Sequence, residues 1–143
     1  VCRELGRVLA PEPMLECGVG AVSLLAACDA QALLTDVIGG GRVLVCALAE
    51  EAEFTTRPPA GLKARKLDDG YVLSGAVGDV PLATDADGYL LPARLGEDVA
   101  LFHCPRETMV VERITRSLAD GTQSARLELR DVRFEASALI ARG

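Results

Sequence analysis

The chain's single histidine, His103, stands next to Cys104 in the run Val99-Ala100-Leu101-Phe102-His103-Cys104. A thiol beside an imidazole is a pairing used in nucleophilic catalysis, because the ring can take the thiol proton. Here the two occupy consecutive positions of an apolar run with strand character, and consecutive strand residues point to opposite faces. The pair is therefore read as structural, and Cys46, inside another apolar run, as core. The five cysteines, at positions 2, 17, 28, 46 and 104, include no Cys-x-x-Cys pair. A structural zinc site needs three or four sulfur or nitrogen ligands in a compact set, so none is expected. The cysteines read as reduced thiols of a cytoplasmic protein. Glu50, Glu51 and Glu53 cluster, but they lack the alternating Asp/Asn spacing of a calcium loop and read as a solvated turn. No catalytic residue and no metal ligand is assigned.

A chain of 143 residues, half of them hydrophobic, can bury one ordinary core, and that composition excludes disorder. Its 15 Lys and Arg face 21 Asp and Glu, a net charge of −6. Duplex binding rests on neutralising phosphates, so nucleic acid is not an expected partner. The few aromatics, Phe54, Tyr71, Tyr89, Phe102 and Phe134, do not suggest a base-stacking platform. The nearest basic grouping is Lys63, Arg65 and Lys66, with Arg3, Arg7 and Arg57 elsewhere. It reads as a solvated face that leaves room for an anionic ligand. No signal peptide is visible, and the apolar run Val19–Leu25 is too short to span a bilayer, so no membrane association is expected.

The elements that must position these residues change character near residue 42. Cys2, Leu5, Val8 and Leu9 make one helical stripe, which Pro11 and Pro13 end because proline lacks the amide donor. Further helices are predicted over residues 18–27 and 30–37, the latter capped by Asp29 and closed by Gly39–Gly41. Then come short predicted strands at 43–46, 62–67, 71–74, 88–92, 98–103, 109–114, 125–130 and 132–135. Asp69-Gly70 is the predicted tight turn, and Asp87-Gly88 and Asp120-Gly121 are further turn candidates. Arg126-Leu127-Glu128-Leu129-Arg130 alternates cleanly, leucines inward. Many short strands with frequent turns predict a barrel or sandwich. No Gly-x-Gly-x-x-Gly follows a strand, which argues against a doubly wound fold.

The order of these segments resembles the acyl-CoA dehydrogenase family, and in particular the subunits of heteromeric actinobacterial members. Glu4-Leu5-Gly6-Arg7 and Ala10-Pro11-Glu12-Pro13 are similar to its helical region, and Gly39–Gly41 with Ala47-Leu48-Ala49-Glu50 to its entry into the middle β domain. Asp69-Gly70-Tyr71-Val72-Leu73-Ser74-Gly75 resembles its hairpin. Ala86-Asp87, Leu91-Pro92-Ala93, Asp120-Gly121, Leu127–Val132 and Leu139–Gly143 continue the match in order. The resemblance implies an α+β chain: residues 1–42 as the end of the N-terminal helical domain, and residues 43–143 as an antiparallel, barrel-like middle β domain, with the C-terminal helical domain absent.

In that family FAD accepts a hydride while an acyl thioester is oxidised between its α and β carbons, and the middle domain forms one wall of the flavin site. The resemblance places two cofactor-binding stretches. The first falls on Leu48, Ala49 and Thr55, where Ala49 lacks a hydroxyl, Glu51 replaces a proline and Ala52-Glu53-Phe54 replaces small residues; Thr55 matches a serine. The second falls on Asp79, Val80 and Pro81, where an aromatic, an aliphatic and a hydroxyl residue are usual. Val80 keeps the aliphatic. Asp79 supplies no ring, and Pro81 neither a hydroxyl nor an N–H. Each lost donor costs about 1–3 kcal/mol in a dry site.

The implied function is α,β-oxidation of an acyl-CoA thioester by a heteromeric flavoenzyme. This subunit, with a degenerate flavin wall, would pair with a second acyl-CoA dehydrogenase subunit and be inactive alone. The alternatives are an ordinary homo-oligomeric FAD enzyme and a non-catalytic module that binds acyl-CoA or protein.

Overall fold

The computed structural model describes residues 2–8, 13–47, 61–108, 111–118 and 121–143. Three α-helices lie at the start: α1 (Cys2–Arg7), α2 (Val22–Ala27) and α3 (Gln31–Ile38). A π-helical stretch, Met14–Ala21, runs straight into α2. Its wider turn shows in the Gly18 amide, which donates to the Pro13 carbonyl at 3.2 Å. The helix predicted to begin at residue 18 therefore begins a turn earlier. Asp29 is not the cap of α3. It takes a left-handed φ of 54°, Ala30 occupies the cap position, and the Asp29 carboxylate instead accepts from the Gln31 side chain at 2.8 Å.

Eight strands follow among the described residues: β1 (Leu44–Cys46), β2 (Leu62–Lys66), β3 (Gly70–Pro81), β4 (Gly88–Leu95), β5 (Asp98–Pro105), β6 (Val111–Ser117), β7 (Gln123–Glu135) and β8 (Leu139–Arg142). They form one sheet in the order β6-β7-β3-β2-β4-β5-β8, with β1 parallel to β4. The barrel expectation is overturned. β6 pairs with β7 and β8 with β5, and no ladder joins these two ends among the described residues. Closure requires a continuous ladder around the ring. Here even the middle is tenuous, since β2 and β4 meet in parallel over only Lys63↔Arg94 and Ala64↔Leu95. Two of the pairings are parallel, so the sheet is also not wholly antiparallel.

The open sheet instead folds its two wings onto a shared core. Leu73, Val77, Leu127 and Phe134 from one wing meet Tyr89, Leu91, Phe102 and Cys104 from the other. Three rings bridge them: Tyr71 meets Phe102 edge-on at 5.1 Å between centroids, and Phe102 lies 6.3 Å from Phe134. Such pairs add about 0.5–1.5 kcal/mol beyond the area they bury. A second cluster seats the helices on the outer face of β1, β4 and β5 through Cys17, Ala21, Leu25, Val37, Leu44, Leu90 and Leu101.

The longest ladder joins β3 to β7, from Gly70↔Glu135 to Pro81↔Ser124. Asp69-Gly70 is not the turn it resembles in sequence. The Leu67 amide donates to the Gly70 carbonyl at 2.8 Å, so Asp68-Asp69 turn the chain and Gly70 already lies in β3. Its glycine serves a close approach, because a Cβ there would collide with the Phe134 carbonyl. Gly75 combines the same crowding, against the Gly61 carbonyl, with a φ of +124°, at a bulge that resets the register. Gly70→Ala should therefore lose about 1–3 kcal/mol through overpacking, measured as a lower urea midpoint at unchanged m-value.

Candidate flavin-facing site

The second bulge of β3 falls between Val77 and Val80 and carries the predicted residues Asp79, Val80 and Pro81. Asp79 has a φ of +44° and Leu82 a φ of +55°. Aspartate tolerates this region, whereas a leucine there is strained, so neighbouring structure must hold it. The ladder does so on one side: the Leu82 amide donates to the Gln123 carbonyl at 2.8 Å. On the other, the following turn closes through the Ala86 amide to the Leu82 carbonyl at 3.1 Å, while the buried Tyr89 hydroxyl donates to the Ala83 carbonyl at 2.5 Å.

Within this frame the three residues have different surroundings. Val80 is wholly buried in the shared core beside its register partner Ala125, so its side chain faces away from any ligand on the outer face. Asp79 is half-buried and its carboxylate lies 3.7 Å from the Arg116 guanidinium of β6. Pro81 pairs with Ser124, which β7 also sets opposite Arg116. Ser124 is 1% exposed, and its Oγ has no hydrogen-bond partner among the described residues. Arg116 and Ser124 were not singled out from sequence. Only the strand register brings them to Asp79 and Pro81 from about forty residues away. Leu48, Ala49 and Thr55, the other predicted cofactor-binding residues, lie outside the described residues.

An isoalloxazine ring calls for a flat apolar surface and for amide or hydroxyl donors at its edge. Of this segment, Asp79 offers a carboxylate already engaged by a cation, Pro81 has no N–H, and Val80 turns inward. Asp79, Val80 and Pro81 thus present neither a ring surface nor a side-chain donor outward. The nearby buried hydroxyl without a partner among the described residues, Ser124 Oγ, has under 1 Å² of exposure.

The remaining candidate groups are Cys104, Cys46 and His103. Cys104 is buried in the shared core, and burial pushes its thiol up to about 12. Cys46 rises to about 11 through burial and, secondarily, the nearby Cys17. His103, half-buried, lies across from Leu90 of the helix-side cluster, so it and Cys104 leave the strand on opposite faces. Burial, and then the Arg42 cation, lower its pKa. Among the described residues no group of three or more His, Cys, Asp or Glu could hold a metal ion, and no helix is long and apolar enough to cross a membrane.

No protein-family model matches the chain, and no curated protein matches it in sequence. Solved structures do match. The ChsE4-ChsE5 complex from Mycobacterium tuberculosis aligns with a TM-score of 0.79 at 25% identity over 95% of this chain and 37% of that one. The Tcur3481-Tcur3483 steroid ACAD aligns with a TM-score of 0.74 at 28% identity, again over 95% of this chain and 37% of the other. Glutaryl-CoA dehydrogenase from Mycobacterium smegmatis gives 0.64 at 24% identity, over 77% of this chain and 29% of that one. The chain spans little more than a third of the length of the first two. The resemblance drawn from the collinear motifs is thus matched in three dimensions: the chain has the acyl-CoA dehydrogenase fold across its helical lead-in and its β-sheet region.

Two outcomes follow from this geometry. Ser124→Ala removes a buried hydroxyl without a partner among the described residues and should hold or raise stability, by up to about 1 kcal/mol; a loss in chemical denaturation would show that Oγ is bonded. For His103, the unfolded chain takes up a proton near pH 6.5 and the folded chain only at lower pH. Its contribution is present above that value and lost as pH falls below it. His103→Gln should therefore lose less stability than the parent between pH values of about 7.5 and 5.5, read from urea midpoints at both.

Proposed function

We propose that this chain is part of a subunit of a heteromeric acyl-CoA dehydrogenase-type flavoenzyme, in which its own flavin wall is degenerate and a paired subunit supplies the intact one. The observation that carries this reading is the Asp79–Arg116 ion pair, on the strand end that the family resemblance assigns to the flavin. A carboxylate neutralised by a cation, followed by an inward valine and a proline, keeps the strand's shape while discarding its donors. The matches favour pairing in the same direction. The two aligned structures whose names join two proteins are covered over 95% of this chain, and glutaryl-CoA dehydrogenase over 77%.

In this reading residues 1–42 end the helical domain and residues 43–143 are the middle β domain. The substrate is an acyl-CoA thioester oxidised between its α and β carbons, and the setting is the cytoplasm. FAD would supply the hydride acceptor from the partner's side. This chain's contribution there is the β3–β7 framework and an Asp79 carboxylate whose charge Arg116 offsets. Leu48, Ala49 and Thr55 belong to the same degenerate wall.

The test is to purify the full-length protein together with the product of its neighbouring gene and measure oligomeric mass and flavin content. One FAD per unlike pair is expected. One FAD per chain, or a flavin that acyl-CoA bleaches in the protein purified without any partner, would overturn the proposal.

A further inference from the structure

Arginines over much of this surface have acidic partners: Arg7 pairs with Glu4, Arg42 with Asp36, Arg116 with Asp79 and Arg142 with Asp98. Four cations on the outer face of the sheet have none among the described residues. Lys63 and Arg65 alternate on β2 with the inward Leu62 and Ala64. Arg94 of β4 is the register partner of Lys63. Val72 of β3 is the register partner of both Arg65 and Arg133 of β7. The four thus lie on three strands, β7, β2 and β4, of the adjacent set β7-β3-β2-β4, in which strands are spaced about 5 Å apart and β3 contributes Val72 between Arg133 and Arg65. All four are exposed, and none has an ion pair among the described residues. Asp69 and Glu135 lie beside Arg133 at one margin without closing to ion-pair distance. In a chain of net charge −6, a face holding four such cations is an exception to its surroundings.

We propose that this face docks an acidic protein surface. It is a sheet face with Val72 at its centre only 7% exposed, whereas sites for small anions are concave. Duplex nucleic acid would meet the repulsion of an acidic protein around the patch. An anionic bilayer takes up apolar side chains beside the cations, and Val72 at the centre of this face is too buried to insert. An acidic protein surface needs only matching charge, which sets association rate and register and makes binding sensitive to salt. The inference stands on the charge pattern and does not depend on the flavoenzyme reading.

The experiment uses the full-length protein and three labelled probes: an oligoglutamate peptide, a short DNA duplex and phosphatidylserine-containing vesicles, each at low and high salt. Oligoglutamate should bind at low salt and weaken at least about tenfold at high salt. Lys63→Glu/Arg65→Glu should abolish that binding, while Arg3→Glu/Arg7→Glu should leave it unchanged. Urea midpoints check folding, and Lys63→Gln/Arg65→Gln serves if the charge reversal does not fold. No binding, binding untouched by the β2 variants, stronger binding to duplex or vesicles, or self-association through this face would each overturn the proposal.

Discussion

β3 and β7 run side by side from Gly70↔Glu135 to Pro81↔Ser124, and nearly every other feature hangs on that ladder. Its inward residues, from Tyr71 and Phe134 to Val80 and Ala125, form one wall of the shared core. Its outward residues carry both the Asp79 segment and, through Val72, the cationic face. Gly70 and Gly75 let neighbouring backbone approach where a side chain would not fit. The two bulges then give the strand the local kink that turns Asp79 and Pro81 outward while Val80 stays in the core.

Much of this framework was legible in the residues. The alternation through Arg126–Arg130 gave β7 and its inward leucines, and proline and glycine marked the helix ends. The limits were physical. β3 reads as 71–74 because Gly75, Gly78 and Pro81 have weak strand propensity, yet pairing with β7 carries the strand through to Pro81. Asp69-Gly70 carries a turn signature, but its glycine answers to Phe134, a residue far along the chain. Barrel closure depends on whether the terminal strands meet, and no local pattern encodes that. The segment Leu139–Arg142 carries no strand expectation in the sequence, and pairing with β5 makes it a strand.

The candidate site shows where sequence reading stops. Collinear motifs pointed to Asp79, Val80 and Pro81, but sequence spacing could not show that Val80 faces the core or that Arg116 neutralises Asp79. Arg116 and Ser124 carry no motif of their own; register alone brings them there. The basic run at positions 63–66 was visible, and the structure divides it. Strand alternation sets Lys63 and Arg65 on the outer face with Arg94 and Arg133, and turns Lys66 the other way.

The same ladder governs the order in which the molecule can form. β4 and β5 are joined by the short Gly96-Glu97 turn and can pair as soon as both are made. β3 must wait for β7, across more than forty intervening residues, and non-local pairing of this kind slows folding. A nascent chain that has not yet exposed Phe134 has the hairpin and the helix seat but not the far wall of its core. Leu73, Val77 and Val80 then stay open to water, or to a chaperone, until nearly the whole of this sequence has left the ribosome.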